Sequence, residues 1–294
     1  MQLLSRLPLS EWMDCIDGET GGERTMPIQE AVSAPLVRPE QVWAAIADVL
    51  DPELDTPLVR LGFVDRIEIS GTKVDIFLKL PTFWCAPNFA YLMVSDLAER
   101  ARTVPGVSSV QVHLLDHCEG ETISEAVNSG LSFAEAFPNE VTTDSNLQEL
   151  RRTFLRKGFL MRQDLLLRRL LRAGLSEDVL RTRCLEDLSW DEAADVACVC
   201  LPGATLQLPT LGRSARAYVE RGRTLGVLRV GGPLFVDEQG EPIPAGELQD
   251  FLRRLRSVRL SLLFNTAMCS ALFRTRYQHA SAETAHNEEG ENPL

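Results

Sequence analysis

The sequence predicts an α+β fold: a small helix-strand-strand-helix-strand sandwich followed by a mainly α-helical second half. Three observations carry that expectation. Over residues 39–115 the apolar spacing alternates between three-to-four and two, the periods of helices and strands. Over 147–171 Leu or Phe recurs at helical spacing between arginines. Charge also changes sign near residue 140. Residues 1–140 carry 9 basic and 22 acidic side chains, and residues 141–280 carry 21 and 16, so a domain boundary is expected there.

Each element has its own signal. Residues 1–37 mix Gly, Glu, Thr and Pro without lasting periodicity and read as a flexible N-terminal arm, with a short helix near 3–13. Pro39 opens the first helix, where a first-turn proline is tolerated, and Val42, Trp43, Ile46, Val49 and Leu50 share its face until Asp51 and Pro52 end it. Residues 64–69 and 73–80 form a hairpin around Ser70 and Gly71. In its second strand Val74, Ile76, Leu78 and Leu80 alternate with Lys73, Asp75, Phe77 and Lys79, so one face is buried. A second helix spans 87–103, stopped by Pro105 and Gly106, and a third strand spans 107–115. Sequential strands with helices on one face define the sandwich, given a domain at 38–119. A connecting segment covers 120–144.

In the second half, 145–280, helices are expected at 147–171, 177–184, 190–199 and 213–225. A hairpin is expected at 233–243, then an amphipathic pair at 246–258 and 261–277. The last residues, 281–294, read as a disordered acidic tail.

Composition narrows the function classes. The chain has 294 residues, 45% hydrophobic and 24% charged, with a net charge of −12, so wholesale binding to nucleic acid or an anionic membrane is disfavoured. Its longest apolar run, 260–273, is interrupted by Asn265 and Thr266 and is too short to cross a bilayer. No secretory signal is visible at the start. Seven scattered cysteines read as reduced thiols, which suits a cytoplasmic location. The arginines of the second half fit solvated helix faces or a surface for an acidic partner.

The most informative segment is the turn before the second helix, Leu80-Pro81-Thr82-Phe83-Trp84-Cys85-Ala86-Pro87. A thiol just before a helix start is expected to have its thiolate favoured by the helix dipole. A thiolate serves a nucleophile or a soft-metal ligand, while a buried, inert cysteine is the plain alternative. Upstream, Asp51, Glu53 and Asp55 crowd one turn, either as exposed acids or as oxygen ligands beside the thiol. His113, His117 and Cys118 cluster at the end of the third strand. On a straight strand the two histidines would lie about 13 Å apart, too far for one ion, so His117 and Cys118 are only weak extra ligand candidates. Cys198 and Cys200 lack metal-pair spacing and read as core packing, as do Cys184 and Cys269 in helices.

The motifs Asp51-Pro52-Glu53-Leu54, Leu61-Gly62-Phe63-Val64, Pro81-Thr82 ahead of Cys85, and Val104-Pro105-Gly106-Val107 resemble the metal–sulfur (iron–sulfur) cluster assembly domain over about residues 39–117. That domain occurs in SufT-like and PaaD-like proteins, in some Mrp-type ATPases and in cytosolic iron–sulfur targeting factors. The resemblance implies an α+β fold and an accessory role in maturing iron–sulfur or iron enzymes, with no turnover chemistry of its own. It implies a reactive Cys85, supported by Asp51, Glu53 and Thr82, and transient iron or an iron–sulfur cluster as cargo. The implied partners are a client metalloenzyme, such as a multicomponent monooxygenase, or the assembly machinery; a homodimer stays open. Family members commonly carry Pro-Gly before the cysteine and proline after it. Here Phe83 and Trp84 precede it and Ala86 follows, so the two aromatics are candidates for client contact.

An interaction module that keeps the fold without handling metal is the alternative. A nucleic-acid-binding regulator is a further one, because the second half is similar in cadence to the catalytic core of tyrosine recombinases. It lacks their His-x-x-Arg box and ordered nucleophilic Tyr, which excludes strand cleavage.

Overall fold

The computed structural model describes residues 37–139 and 145–288, with side chains for 37–139 and 147–277. The expected N-terminal arm, apart from the buried Val37, lies outside the described residues, as does the short helix near 3–13.

Helix α1 (Pro39–Ile46) buries Val42 and Ile46. The chain then makes a two-residue ladder, β1 (Leu50–Asp51) with β2 (Thr56–Pro57), around the acidic turn, followed by the short helix α2 (Leu58–Leu61). Strands β3 (Val64–Ser70) and β4 (Lys73–Lys79) form the expected antiparallel hairpin. Helix α3 (Pro87–Arg102) crosses over to β5 (Ser109–Leu115), which pairs parallel to β4, giving the order β3-β4-β5. Val74, Ile76 and Leu78 of β4 and Val112 of β5 face the helices. On the opposite face His113 stacks on Phe77 at 4.7 Å and its Nε2 lies 2.8 Å from Asp75, so it is engaged away from the thiol turn.

Part of the expected connecting segment is helical. Helix α4 (Gly120–Ser129) packs on β5, with Asn128 bonded to both the N–H and the C=O of Val112. A short helix, α5 (Phe133–Ala136), seats Phe133 against Tyr91. The polar residues of this segment masked an amphipathic pattern whose apolar positions, Ile123, Ala126 and Val127, are buried.

The second half is mainly helical, with one sheet the helical reading missed. Helix α6 (Ser145–Arg172) leads to α7 (Glu177–Arg181). Strands β6 (Leu188–Asp191), β7 (Val196–Leu201) and β8 (Ala204–Pro209) form an antiparallel meander, and α8 (Gly212–Leu225) follows. The helix expected at 190–199 is therefore a strand, a turn and a strand. Ala193 and Ala194 suggested helix, but Asp191 caps the turn through its bond from Ala194 N–H, and Asp195 takes a left-handed φ of 52°. Ala197 and Val199 point inward, so Cys200 is exposed and Cys198 only half-buried, which corrects their reading as core packing. Cys184 is also not in a helix; it precedes a single 3₁₀ turn and its N–H bonds Asp187. Residues 233–243 form isolated bridges instead of a regular hairpin.

The expected final helix pair is one continuous helix, α9 (Leu248–Glu288), because neither Gly nor Pro interrupts 248–288. It runs into the segment read as a disordered tail, and 289–294 lie outside the described residues. From Val37 on, the described residues form one unit built on two hydrophobic cores. One surrounds the first sheet and the other lies among α6, α8, α9 and the meander. Helix α9 serves both, placing Phe251 and Leu255 in the second and Phe273 in the first. No helix among the described residues is long and apolar enough to cross a membrane.

Candidate functional site

The site lies where β4 ends and α3 begins. Pro87 occupies the first turn of α3 and cannot donate a backbone bond, so the chain arrives at Cys85 in an irregular turn. Two bonds tie that turn to the residues after β5: Cys118 N–H donates to Phe83 O at 2.8 Å, and His117 Nε2 lies 2.7 Å from Cys85 O. Glu119 N–H donates to His117 Nδ1 at 3.1 Å, so Nδ1 accepts and Nε2 carries the proton given to Cys85 O. Burial pulls the His117 ring below the usual imidazole range, which keeps it neutral at pH 7.

His117, a weak extra ligand candidate from the sequence, makes a bond at each ring nitrogen here. The residue is a strut for the thiol turn. Straight-strand reasoning misplaced it because β5 ends at Leu115 and Asp116 turns the chain with a left-handed φ of 52°. Cys118 is exposed on the same turn.

The acidic turn comes in beside Cys85. Asp51 is 8% exposed and accepts from the N–H groups of Glu53 (2.8 Å) and Leu54 (3.0 Å), which explains an acid immediately before Pro52. Burial raises the Asp51 pKa to about 6 against the two backbone bonds, and the neighbouring Glu53 charge adds to the rise. Thr82 hydrogen-bonds the Cys85 sulfur. Phe83 and Trp84 stand out into solvent, 48% and 75% exposed.

These surroundings overturn the expectation of a dipole-favoured thiolate. The Cys85 pKa is raised, first by burial and then by the Asp51 and Glu53 charges, and the Thr82 hydrogen bonds offset this only in part. The helix dipole, typically worth about 0.3–1 kcal/mol, works against the desolvation and the two carboxylate charges. Alkylation of Cys85 by iodoacetamide at pH 7 is therefore expected to run slower in the folded chain than in urea, and to accelerate as pH climbs past 9. Peptide mass spectrometry reads the rate, and a folded rate equal to or above the unfolded one contradicts the assignment.

The remaining contributor comes from α9, which sequence reasoning left out. Asn265 Nδ2 bonds Glu53 at 3.3 Å, Phe273 packs on Phe63 with centroids 5.0 Å apart, and Arg276 donates to Leu80 O and Asp116 O. Between them Cys269 is half-buried against the first core. Its pKa is pushed up to about 11, mainly by burial, with the Asp51, Cys85 and Glu53 charges adding. Asp55 points the other way, into the second half of the chain, and takes no part at the thiol. Among the described residues, no three His, Cys, Asp or Glu side chains are close enough to hold a metal ion.

A thiol on the turn between the central strand and its crossover helix, flanked by a buried acidic turn, defines a small α+β thiol-bearing domain. Residues 39–114 match the model of a family described as iron-sulfur cluster assembly protein, so this segment is similar to that family. It ties the chain to iron–sulfur cluster assembly in general terms. The match covers about a quarter of the chain, and no curated protein matches it.

Proposed function

We propose that the chain is a non-catalytic accessory factor that carries iron or an iron–sulfur cluster to a client metalloenzyme, with Cys85 as the exchangeable thiol. The observation that carries this reading is the position of Cys85: the thiol follows the exposed Phe83 and Trp84 in one turn, within reach of the Asp51 and Glu53 charges, in the segment that matches the assembly family. Phe83 and Trp84 offer an apolar contact for a client, and a raised thiol pKa suits cargo that must leave, since protons compete with metal for the sulfur.

The test is anaerobic reconstitution with ferrous iron and sulfide, comparing the wild type with Cys85→Ala. Visible absorption and iron per chain are expected to fall several-fold in the variant. Equal uptake by both, or none in either, overturns the carrier reading. The second reading, an adaptor that docks the client without holding metal, is favoured by the lack of a three-ligand group among the described residues. It gains if Cys85→Ala still supports client maturation.

A further inference from the structure

Nothing in the family-matched segment accounts for the cysteine on the last helix, yet α9 is fastened to the site along one face. Asn265, Cys269 and Phe273 are four residues apart in turn, so they stack as neighbours on a single stripe. The first bonds Glu53 of the acidic turn and the third packs on Phe63. Cys269 is thereby held over the ground between them. One turn further on, Arg276 straps the carbonyls of Leu80 and Asp116, at the ends of the two strands that flank the thiol turn. Cys85 and Cys269 both pack, half-buried, against the first core; the Asp51 and Glu53 charges raise the pKa of both thiols, and the Cys85 charge adds to the rise at Cys269.

We propose that Cys269 is the second thiol of the site, and that Cys85 and Cys269 together take up a thiophilic cation, the iron of the cargo, between the acidic turn and α9. This rests on the reading of Cys85 as a ligand and deepens it. Two thiols from separate elements select a soft or borderline cation over Mg²⁺ or Ca²⁺. As each S–metal bond forms, its thiol releases a proton to solvent. Two protein ligands leave coordination positions open, which a site that hands on its cargo requires. The pairing also gives the long final helix a function: it brings a second thiol to the acidic turn.

Cadmium alone is the probe, because its thiolate charge-transfer absorption counts bound sulfurs without any client or assembly machinery. The full chain is titrated anaerobically as wild type, Cys85→Ala, Cys269→Ser, Cys269→Ala and Cys85→Ala/Cys269→Ser, and the double variant is subtracted to remove the other five cysteines. Each single variant is expected to show about half the wild-type intensity or less, with cadmium affinity weakened at least about tenfold. Circular dichroism and agreement between the Ser and Ala variants separate ligand loss from misfolding. Wild-type intensity and affinity in both Cys269 variants, with loss confined to Cys85→Ala, overturns the pair and leaves the Cys85 reading standing. No difference between wild type and the double variant overturns both.

Discussion

Asp55→Ala is expected to cost about 3–5 kcal/mol of folding stability. Its carboxylate is 5% exposed and sits between two guanidinium groups: Arg221, with Nε at 3.0 Å, and Arg162, whose NH1 meets the other oxygen. Those arginines are 8% and 13% exposed. Removing the carboxylate between them leaves two buried cations facing each other, a far greater loss than any surface ion pair would cause. Space is equally constrained, because a Cβ on Gly158 of α6 would fall 2.7 Å from the Asp55 carboxyl. The pairing joins the acidic turn of the first core to α6 and α8 of the second, so Asp55 aims the turn that carries Asp51 and Glu53. Urea unfolding should show a lower midpoint for Asp55→Ala. The triple replacement Asp55→Leu, Arg162→Met, Arg221→Met should recover much of the loss, since an apolar trio of similar volume needs no charge balance. A single variant within about 1 kcal/mol of wild type contradicts the arrangement.

The second large effect has the opposite sign. Asp51→Asn is expected to stabilise the chain at pH 7 by up to about 3 kcal/mol, from a shift of roughly two pKa units at 1.36 kcal/mol each. The folded pKa of about 6 lies above the ordinary aspartate value of 3.8, chiefly through burial. The folded chain therefore holds a proton that the unfolded chain releases, and stability falls as pH rises from about 4 to 6, remaining lower at neutrality. Asparagine keeps an oxygen to accept from Glu53 and Leu54 N–H but carries no charge to desolvate. Its stability profile across pH 4–6 should be flatter than that of wild type in denaturant titrations. Cys85 should also alkylate faster in the variant, because one of the charges raising its pKa is gone. Destabilisation at pH 7 by Asp51→Asn would sink the account. A buried carboxylate kept at a stability cost beside a thiol is the kind of local conflict expected at a functional position.

The first sheet was legible because one face of β4 and β5 is buried and the other is not, which imprints a period of two on Val74, Ile76 and Leu78. Alanine-rich residues 192–194 misled because capping by Asp191 and the left-handed Asp195 are turn features that local helix propensity does not weigh. Cys85 was legible as a singular residue in a singular turn. The direction of its pKa was not, because desolvation and the charges of Asp51 and Glu53 depend on distances across thirty residues of chain.

The sequence by itself determined the α+β character of the first domain, the position of the thiol turn and the acidic turn, and their likeness to an iron–sulfur assembly domain, because periodicity and short motifs are local properties. Only the tertiary structure decided that His117 braces the thiol turn, that Asp55 faces away into a buried arginine pair, and that α9 lies against the acidic turn, with the charges there acting on Cys269. Each of these depends on which side chains packing brings together from distant segments, and on the burial that follows, and neither is written in the spacing of neighbours along the chain.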